Sequence, residues 1–389
     1  MEPKFIKTDR IEVVDALRGF AVLAILLLHH VEHFIFSVYP SDSPAWLSVI
    51  DKGVFNGMFA LFGGKAYAIF SLLFGFTFYI QYEHQRAKGK DFGFRFLWRL
   101  LGLAIIATIN AAFFPGGDVL MLYAVVGIVL FIVRKWSDKA VLITAIILLL
   151  QPVEWFNYIM TIVNPEYQIP NYSVGALYDQ VSQATQSGTF REFLLCNIGV
   201  GQAASLAWAL RVGRAVQTAG LFLLGLLIGR KQLFISNERN LRFWVAVLAV
   251  SATSFGLLHS LRNEIMLASD AVQKSAGAAF DMWQKLAFTF VLVSSFVLLF
   301  QRAGFRKCVG GLRLYGKMSL TNYVSQSIIG ALIYFPFGLY LAPYLGYTLS
   351  LLFGVLVFVV QLKFCKWWLS KHKYGPLEAL WRRWTWNIF

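Results

Sequence analysis

Apolar runs separated by short polar and basic stretches set the pattern of this chain. A helix that crosses a bilayer needs about 20 mostly apolar residues, and the pattern predicts ten such segments. They fall at 13–38, 54–81, 95–114, 118–134, 139–160, 213–230, 241–260, 278–301, 314–336 and 346–370. The expected fold is all-α: a polytopic integral membrane helix bundle forming a single transmembrane domain over 1–389, without a soluble domain or an internal repeat.

Two regions depart from that pattern. The connection 161–212 is predicted as an outer loop. Its first half is polar and turn-rich (Asn164, Pro165, Pro170, Asn171), and its second half is apolar. An eleventh span near 191–210 would invert every later loop, so a re-entrant or interfacial segment roofing a cavity is expected there. The tail 371–389, with Trp381, Trp384 and Trp386 beside Arg382 and Arg383, is predicted as an amphipathic anchor. At the other terminus Lys4, Lys7 and Arg10 precede an apolar stretch that runs past Phe34, too long for a cleaved signal peptide, so a retained signal anchor is expected.

Composition supports the bilayer as solvent. The 389 residues are 58% hydrophobic and 14% charged, whereas soluble domains carry roughly a quarter charged residues. The net charge of +15 does not indicate nucleic-acid binding, because the cations are dispersed among alternate loops. Arg86, Lys88 and Lys90, then Arg134, Lys135 and Lys139, then Arg230 and Lys231, then Arg302, Arg306 and Lys307, and finally the tail form one set of basic connections. The positive-inside rule places these, and both termini, in the cytoplasm. Cys196, Cys308 and Cys365 lack metal-ligand spacing and suggest no disulfide framework.

The first segment contains the densest candidate chemistry. Arg18 and His29 are eleven residues apart, so at about 100° per residue they share a stripe and are separated by roughly 16 Å along the axis. Glu32 and His33 continue that stripe, and His30 points elsewhere. Ionisable groups at such depth face a bundle interior or a wet cavity. Arg18 can also snorkel to the headgroups, and His33 and Glu32 can belong to the interface. One helix supplies at most two or three metal ligands and no second cluster is evident, so no metal is expected.

Further candidates lie elsewhere. Lys65 follows Gly63 and Gly64 in an apolar run and requires an anion or a wet surface. Asp118 follows a Pro115-Gly116-Gly117 turn and suits an N-cap, with Tyr123 one turn beyond. Asn322 and Gln326 lie on a polar stripe with Ser319, suited to interhelical hydrogen bonds.

Five stretches together resemble a known family: DALRGFAVLAILLLH, GGKAYAIFSLLFG, GDVLMLYAVVGIVL, GKMSLTNYVSQS and YGPLEALWR. They are similar to the YeiB-like bacterial membrane proteins, domain of unknown function 418, along nearly the whole chain. That family in turn resembles the transmembrane acyltransferases, which include heparan-alpha-glucosaminide N-acetyltransferase and the acyltransferase-three enzymes. In the latter an arginine and a histidine with ten residues between them mark the first helix, and Arg18 and His29 match that spacing. Many YeiB-like chains have asparagine where this one has His29.

The resemblance implies a bacterial cytoplasmic-membrane enzyme that moves an acyl group from cytoplasmic acyl-CoA to an extracytoplasmic glycan, glycolipid or lipid headgroup. His29 would be the base and Glu32 its orienting partner. Arg18 would bind the donor, and Lys65 or Asn322 would stabilise the oxyanion. Two other classes stay open: a transporter or channel using the Arg/His/Glu stripe, and a non-catalytic lipid-binding protein. The expected partners are membrane lipids, the acceptor and a second copy of the chain.

Overall fold

The computed structural model describes residues 11–32, 38, 40–164 and 166–386, with the side chains of all but 263 and 266 among them. The described residues form helices and connections without a strand. In order these are α1 (Glu12–Glu32), α2 (Ala45–Phe62), α3 (Ala66–Arg86), α4 (Gly93–Ala111), α5 (Leu120–Val126), α6 (Ile128–Val133) and α7 (Asp138–Leu149). There follow α8 (Pro152–Val163), α9 (Val174–Ser187), α10 (Phe190–Cys196), α11 (Gln202–Arg211), α12 (Arg214–Arg230), α13 (Glu238–Met266) and α14 (Asp270–Lys274). The chain ends in α15 (Ala276–Leu299), α16 (Ala303–Cys308), α17 (Gly310–Lys317), α18 (Ser319–Tyr334), α19 (Tyr347–Lys371) and α20 (Pro376–Trp386). Among the described residues, seven helical stretches are long and apolar enough to cross a membrane. The count reaches eight when α7 and α8, bent by 45° at their junction, are taken as one.

Six of the ten expected segments coincide with single helices, namely α1, α4, α12, α13, α15 and α19. The other four are interrupted, each at an identifiable residue. Segment 139–160 breaks at Gln151, which adopts a left-handed backbone (φ 59°), and restarts at Pro152, a residue suited to a first helical turn because it lacks an N–H. Segment 118–134 is divided at Gly127, and 314–336 at Met318. Segment 54–81 is divided at Gly63, Gly64 and Lys65, and its helical structure begins earlier than predicted, at Ala45. Asp51 and Lys52 look like loop residues in sequence, yet Asp51 is buried and its Oδ1 accepts a 2.7 Å bond from the Thr348 N–H at the start of α19. A carboxylate there satisfies a donor that has no partner within its own helix.

The centre of the bundle is α1, α3 and α12, which are buried on nearly all sides, as expected for helices apolar all round. Glycine permits their close approach. A Cβ on Gly75 of α3 would overlap the Phe222 carbonyl, and one on Gly225 of α12 would overlap the Leu72 carbonyl, the small-residue packing favoured where lipid supplies no hydrophobic drive. The peripheral helices turn large apolar side chains outward, for example Val250 and Leu257 of α13 and Leu352 and Leu356 of α19.

One end of the bundle is basic. There Arg230 meets Asp138 at 3.0 Å, Arg134 meets Asp91 at 3.6 Å, and Arg313 meets Glu12 at 2.6 Å. The tail helix α20 docks at this end on α4. Trp384 stacks on Trp98 with ring centroids 4.8 Å apart, and Trp381 Nε1 donates to the Arg99 carbonyl at 2.9 Å.

The 161–212 connection collects at the far end. Residues 190–211 form a helix of 22 residues, in which a five-residue π turn, Asn197–Gly201, joins α10 to α11. The wider turn carries an extra residue without interrupting the helix. Phe193 of α10 packs on Phe335, beyond the end of α18, and Trp208 of α11 packs on Arg214, at the start of α12. Both halves of this helix therefore contact the far end of the bundle.

Candidate functional site

Among the described residues two cavities stand out in the bundle, one toward each end, and α1, α3 and α18 line both. The basic-end cavity encloses about 290 Å³ and the far-end cavity about 550 Å³. Along α3, Tyr67 faces the far cavity and Phe70 the basic one. Between Val119 and Leu120 the lining passes from far to basic, and along α18 it passes from Leu320 on the basic side to Tyr323 on the far side. Three residues of helix rise about 4.5 Å, so the partition is roughly one helical turn thick. On α1, Arg18 lines the basic-end cavity, and His29 and Glu32 line the far one. The stripe inferred from periodicity therefore has one end in each cavity.

The basic-end cavity is cationic and aromatic. Arg18 donates to Asp15 at 3.0 Å and to Thr77 Oγ1 at 3.1 Å, which holds it inside the bundle rather than at its rim. Arg99 lies 3.5 Å above the Trp381 ring, Arg382 lies 4.9 Å from the Tyr374 ring, and Lys317 completes four cations in the lining. Glu378 is the acidic residue of that lining, and it is engaged at the start of α18. It accepts from the backbone N–H groups of Leu320 and Thr321 and from Thr321 Oγ1, at 2.7, 3.1 and 2.6 Å.

In the far-end cavity His29 is buried. Its Nδ1 lies 3.4 Å from Gln326 Nε2, and its ring is 4.5 Å from Phe114 and 5.9 Å from Tyr323. Tyr323 Oη donates to Asp118 Oδ1 at 3.2 Å, and the same carboxylate oxygen accepts from the Leu120 N–H at 3.0 Å. The N-cap of α5 is Val119, so Asp118 holds the first helical amide from one residue before the cap, not from the cap position its sequence suggested. Lys65 lies in this cavity too, and its ammonium donates to the carbonyls of Phe59 and Ala60 at 3.2 and 2.9 Å. Gly64 makes that turn possible: its φ is +73°, and a Cβ would strike the Lys285 side chain.

The remaining sequence candidates separate. Tyr123 lines the basic-end cavity, and its Oη donates to the Tyr67 carbonyl at 2.7 Å across the partition. Asn322 lies away from both cavities, donating to the Tyr315 carbonyl at 3.0 Å. His30 turns from the cavities toward Tyr334, with Nδ1 2.7 Å from its hydroxyl. His33 lies outside the described residues.

Several groups escaped the sequence reading. Arg99, Lys317, Arg382 and Glu378 were not singled out, and the packing of α4, α17 and α20 brings them to one cavity. Arg214, Arg262, Asp281 and Lys285 meet in the far cavity from three helices. The Asp281 and Lys285 spacing of four on α15, an ion pair in the structure, was the one legible signal among them.

Apolar helices enclosing two end-opening cavities define the class: an all-helical protein built to be multi-pass in a membrane. Residues 228–388 match the family Protein of unknown function (DUF418). Along nearly its whole length the chain is 28% identical to Uncharacterized protein YxaH of Bacillus subtilis (strain 168), covering 96% of this chain and 94% of that protein. It is 27% identical to Uncharacterized 39.9 kDa protein in amylase 3'region of Bacillus acidopullulyticus, covering 97% and 94%. To Uncharacterized protein YeiB of Escherichia coli (strain K12) it is 24% identical, covering 97% and 96%. Its C-terminal part thus matches the DUF418 family, and the whole chain is similar to YxaH and YeiB, as its motifs indicated. No solved structure matches it.

Proposed function

We propose that this protein transfers an acyl group across the bacterial cytoplasmic membrane, from a cytoplasmic acyl-CoA in the basic-end cavity to an acceptor in the far-end cavity. The carrying observation is the one-turn partition between two cavities whose walls hold Arg18 on one side and His29 on the other. With the basic end facing the cytoplasm, Arg18, Arg99, Lys317 and Arg382 suit the phosphates of a donor, and the aromatic walls suit a pantetheine arm that carries the thioester toward His29.

The chemistry is an acyl substitution. The acceptor oxygen or nitrogen attacks the thioester carbonyl carbon, a new C–O or C–N bond forms, and the C–S bond breaks. His29 takes the acceptor proton through Nε2, with its Nδ1–H donating to the Gln326 amide oxygen once that amide is turned over. An unperturbed imidazole titrates near neutrality, which fits a general base. The departing thiolate takes a proton from solvent at the basic end. Lys65 faces the side on which the acceptor would sit, and Glu32 adds a carboxylate near the mouth.

The test is label transfer. Purified protein in proteoliposomes with radiolabelled acetyl-CoA and envelope glycans or lipids should yield labelled acceptor, and His29→Ala, folded as judged by its melting profile, should not. Undiminished transfer by His29→Ala sinks the assignment. The helix breaks at Gln151 and Gly127 are what favours the second reading, a transporter, because broken helices serve substrate paths. Solute uptake driven by pH without any acyl donor would put that reading first.

A further inference from the structure

The proposed reaction uses few of the charges in the far-end cavity, and their balance indicates what enters it. Lys65, Arg214, Arg262 and Lys285 line this cavity against two carboxylates, Glu32 and Asp281. Asp281 serves two of the cations, forming an ion pair with Lys285 and lying 4.0 Å from Arg262. Lys65 is held by carbonyl oxygens, which supply partial charge only.

Arg214 is placed differently. Its guanidinium lies 4.1 Å from the Tyr67 ring and 4.2 Å from the Trp208 ring. Two aromatic partners hold the guanidinium in place while leaving N–H donors for a ligand. Arg214 is also the first residue of α12, where unsatisfied backbone amides carry partial positive charge. A neutral sugar would leave this excess of positive charge uncompensated in a half-enclosed site, whereas a phosphate would neutralise it through charge-assisted, bidentate hydrogen bonds.

We infer that the far-end cavity binds a phosphate-bearing ligand, with Arg214 as its principal contact. This deepens the acyl-transfer reading by giving the acceptor side a chemical class, a phosphate ester, and rests on that reading only for the word acceptor. The cavity lies among α2, α13 and α15, and α2 and α13 expose Leu61, Leu257 and Leu261 on their outer surfaces. A lipid headgroup and a soluble phosphate share the recognising chemistry, and the experiment separates them.

Thermal unfolding of the purified full chain in neutral detergent tests the site with no acyl donor present, so its outcome is independent of whether acyl transfer occurs. The probes are short-chain phosphatidylglycerol, inorganic phosphate and a neutral short-chain glucosyl diacylglycerol. Phosphatidylglycerol is expected to raise the unfolding midpoint in a saturable way, with an apparent Kd about tenfold weaker in Arg214→Gln and unchanged in Arg18→Gln. Arg262→Gln, at the exposed rim, should weaken it in the same direction by less, which keeps the test available if Arg214→Gln does not fold. An equal Arg214-dependent response to inorganic phosphate supports the site with a free phosphate as ligand, and a response to the lipid alone supports a headgroup. Equal stabilisation by the neutral lipid, insensitivity to Arg214→Gln and Arg262→Gln, or loss of the effect in Arg18→Gln instead would each overturn it.

Discussion

The two cavities share helices but are completed by different parts of the chain. The basic-end cavity is closed by the tail: α20 supplies Glu378, Trp381 and Arg382, with Trp381 folded back some 280 residues onto α4 and Glu378 onto the start of α18. The far-end cavity is completed by the middle of the chain, through Trp208, Arg214, Arg262 and Asp281. Their charge also differs in kind. At the basic end the carboxylate of Glu378 is committed to a helix start and Arg18 is paired with Asp15, so cations outnumber carboxylates in the lining. At the far end cations and carboxylates are interleaved, and Arg214 is set apart by its aromatic partners. A common wall with separately built mouths allows each cavity to be altered without the other.

The largest effect should come from the shared wall. Gly225→Val would drive a side chain into the Leu72 carbonyl and part α3 from α12, at a cost of about 3 kcal/mol. Both cavities should fail together, seen as loss of monodisperse protein and of all ligand-dependent stabilisation; a stable variant with one cavity intact would break the idea of a common wall. Next, the two ends of the α1 stripe should separate kinetically. His29→Ala should lower kcat about 100-fold or more with little change in KM for the donor, while Arg18→Gln should mainly raise that KM. If both variants altered the same parameter, the division of roles would be lost.

A smaller effect is expected at the tail. Glu378→Ala removes three hydrogen bonds at the start of α18 and should cost about 1–2 kcal/mol. Limited trypsin digestion should then cut faster at Arg382 and Arg383, with phosphate binding at the far end unchanged. The smallest concerns Asp91, in the connection between α3 and α4. The backbone N–H of Gly93, and then the nearby Arg134, hold its carboxyl below the usual carboxylate range. A depressed folded-state pKa means that its stabilisation is present above the usual value and is lost as pH falls through the lowered one. Because the side chain is 47% exposed, Asp91→Asn should cost only about 0.3 kcal/mol and flatten the acid limb of the melting curve without touching either cavity.

Much of the fold was legible because membrane solubility writes itself as long apolar runs. Where a segment is a plain apolar helix, as in α1, α4 or α15, pattern and structure agree. Disagreement falls where one residue changes the backbone inside an unbroken apolar run, as Gln151 and Met318 do, since hydropathy carries no information on φ and ψ. It also falls where a polar residue is satisfied by a distant partner, as Asp51 is by Thr348. Of the candidate site, Arg18, His29 and Glu32 were legible because one helix fixes their relative direction. Arg99, Arg214, Arg262 and Glu378 were not, because their inward orientation depends on which helices pack together.

The sequence alone determined that the chain is all-helical and apolar enough for a bilayer, that its cations gather at one end, and that α1 carries an arginine and a histidine on one stripe. These follow from local periodicity and composition. Only the tertiary structure decided that the two ends of the stripe lie in separate cavities, that the tail closes one and α11 helps wall the other, and that Asn322 and His30 face elsewhere. Those outcomes depend on glycine-mediated helix crossings and long-range hydrogen bonds, whose partners lie tens to hundreds of residues apart and leave no local trace.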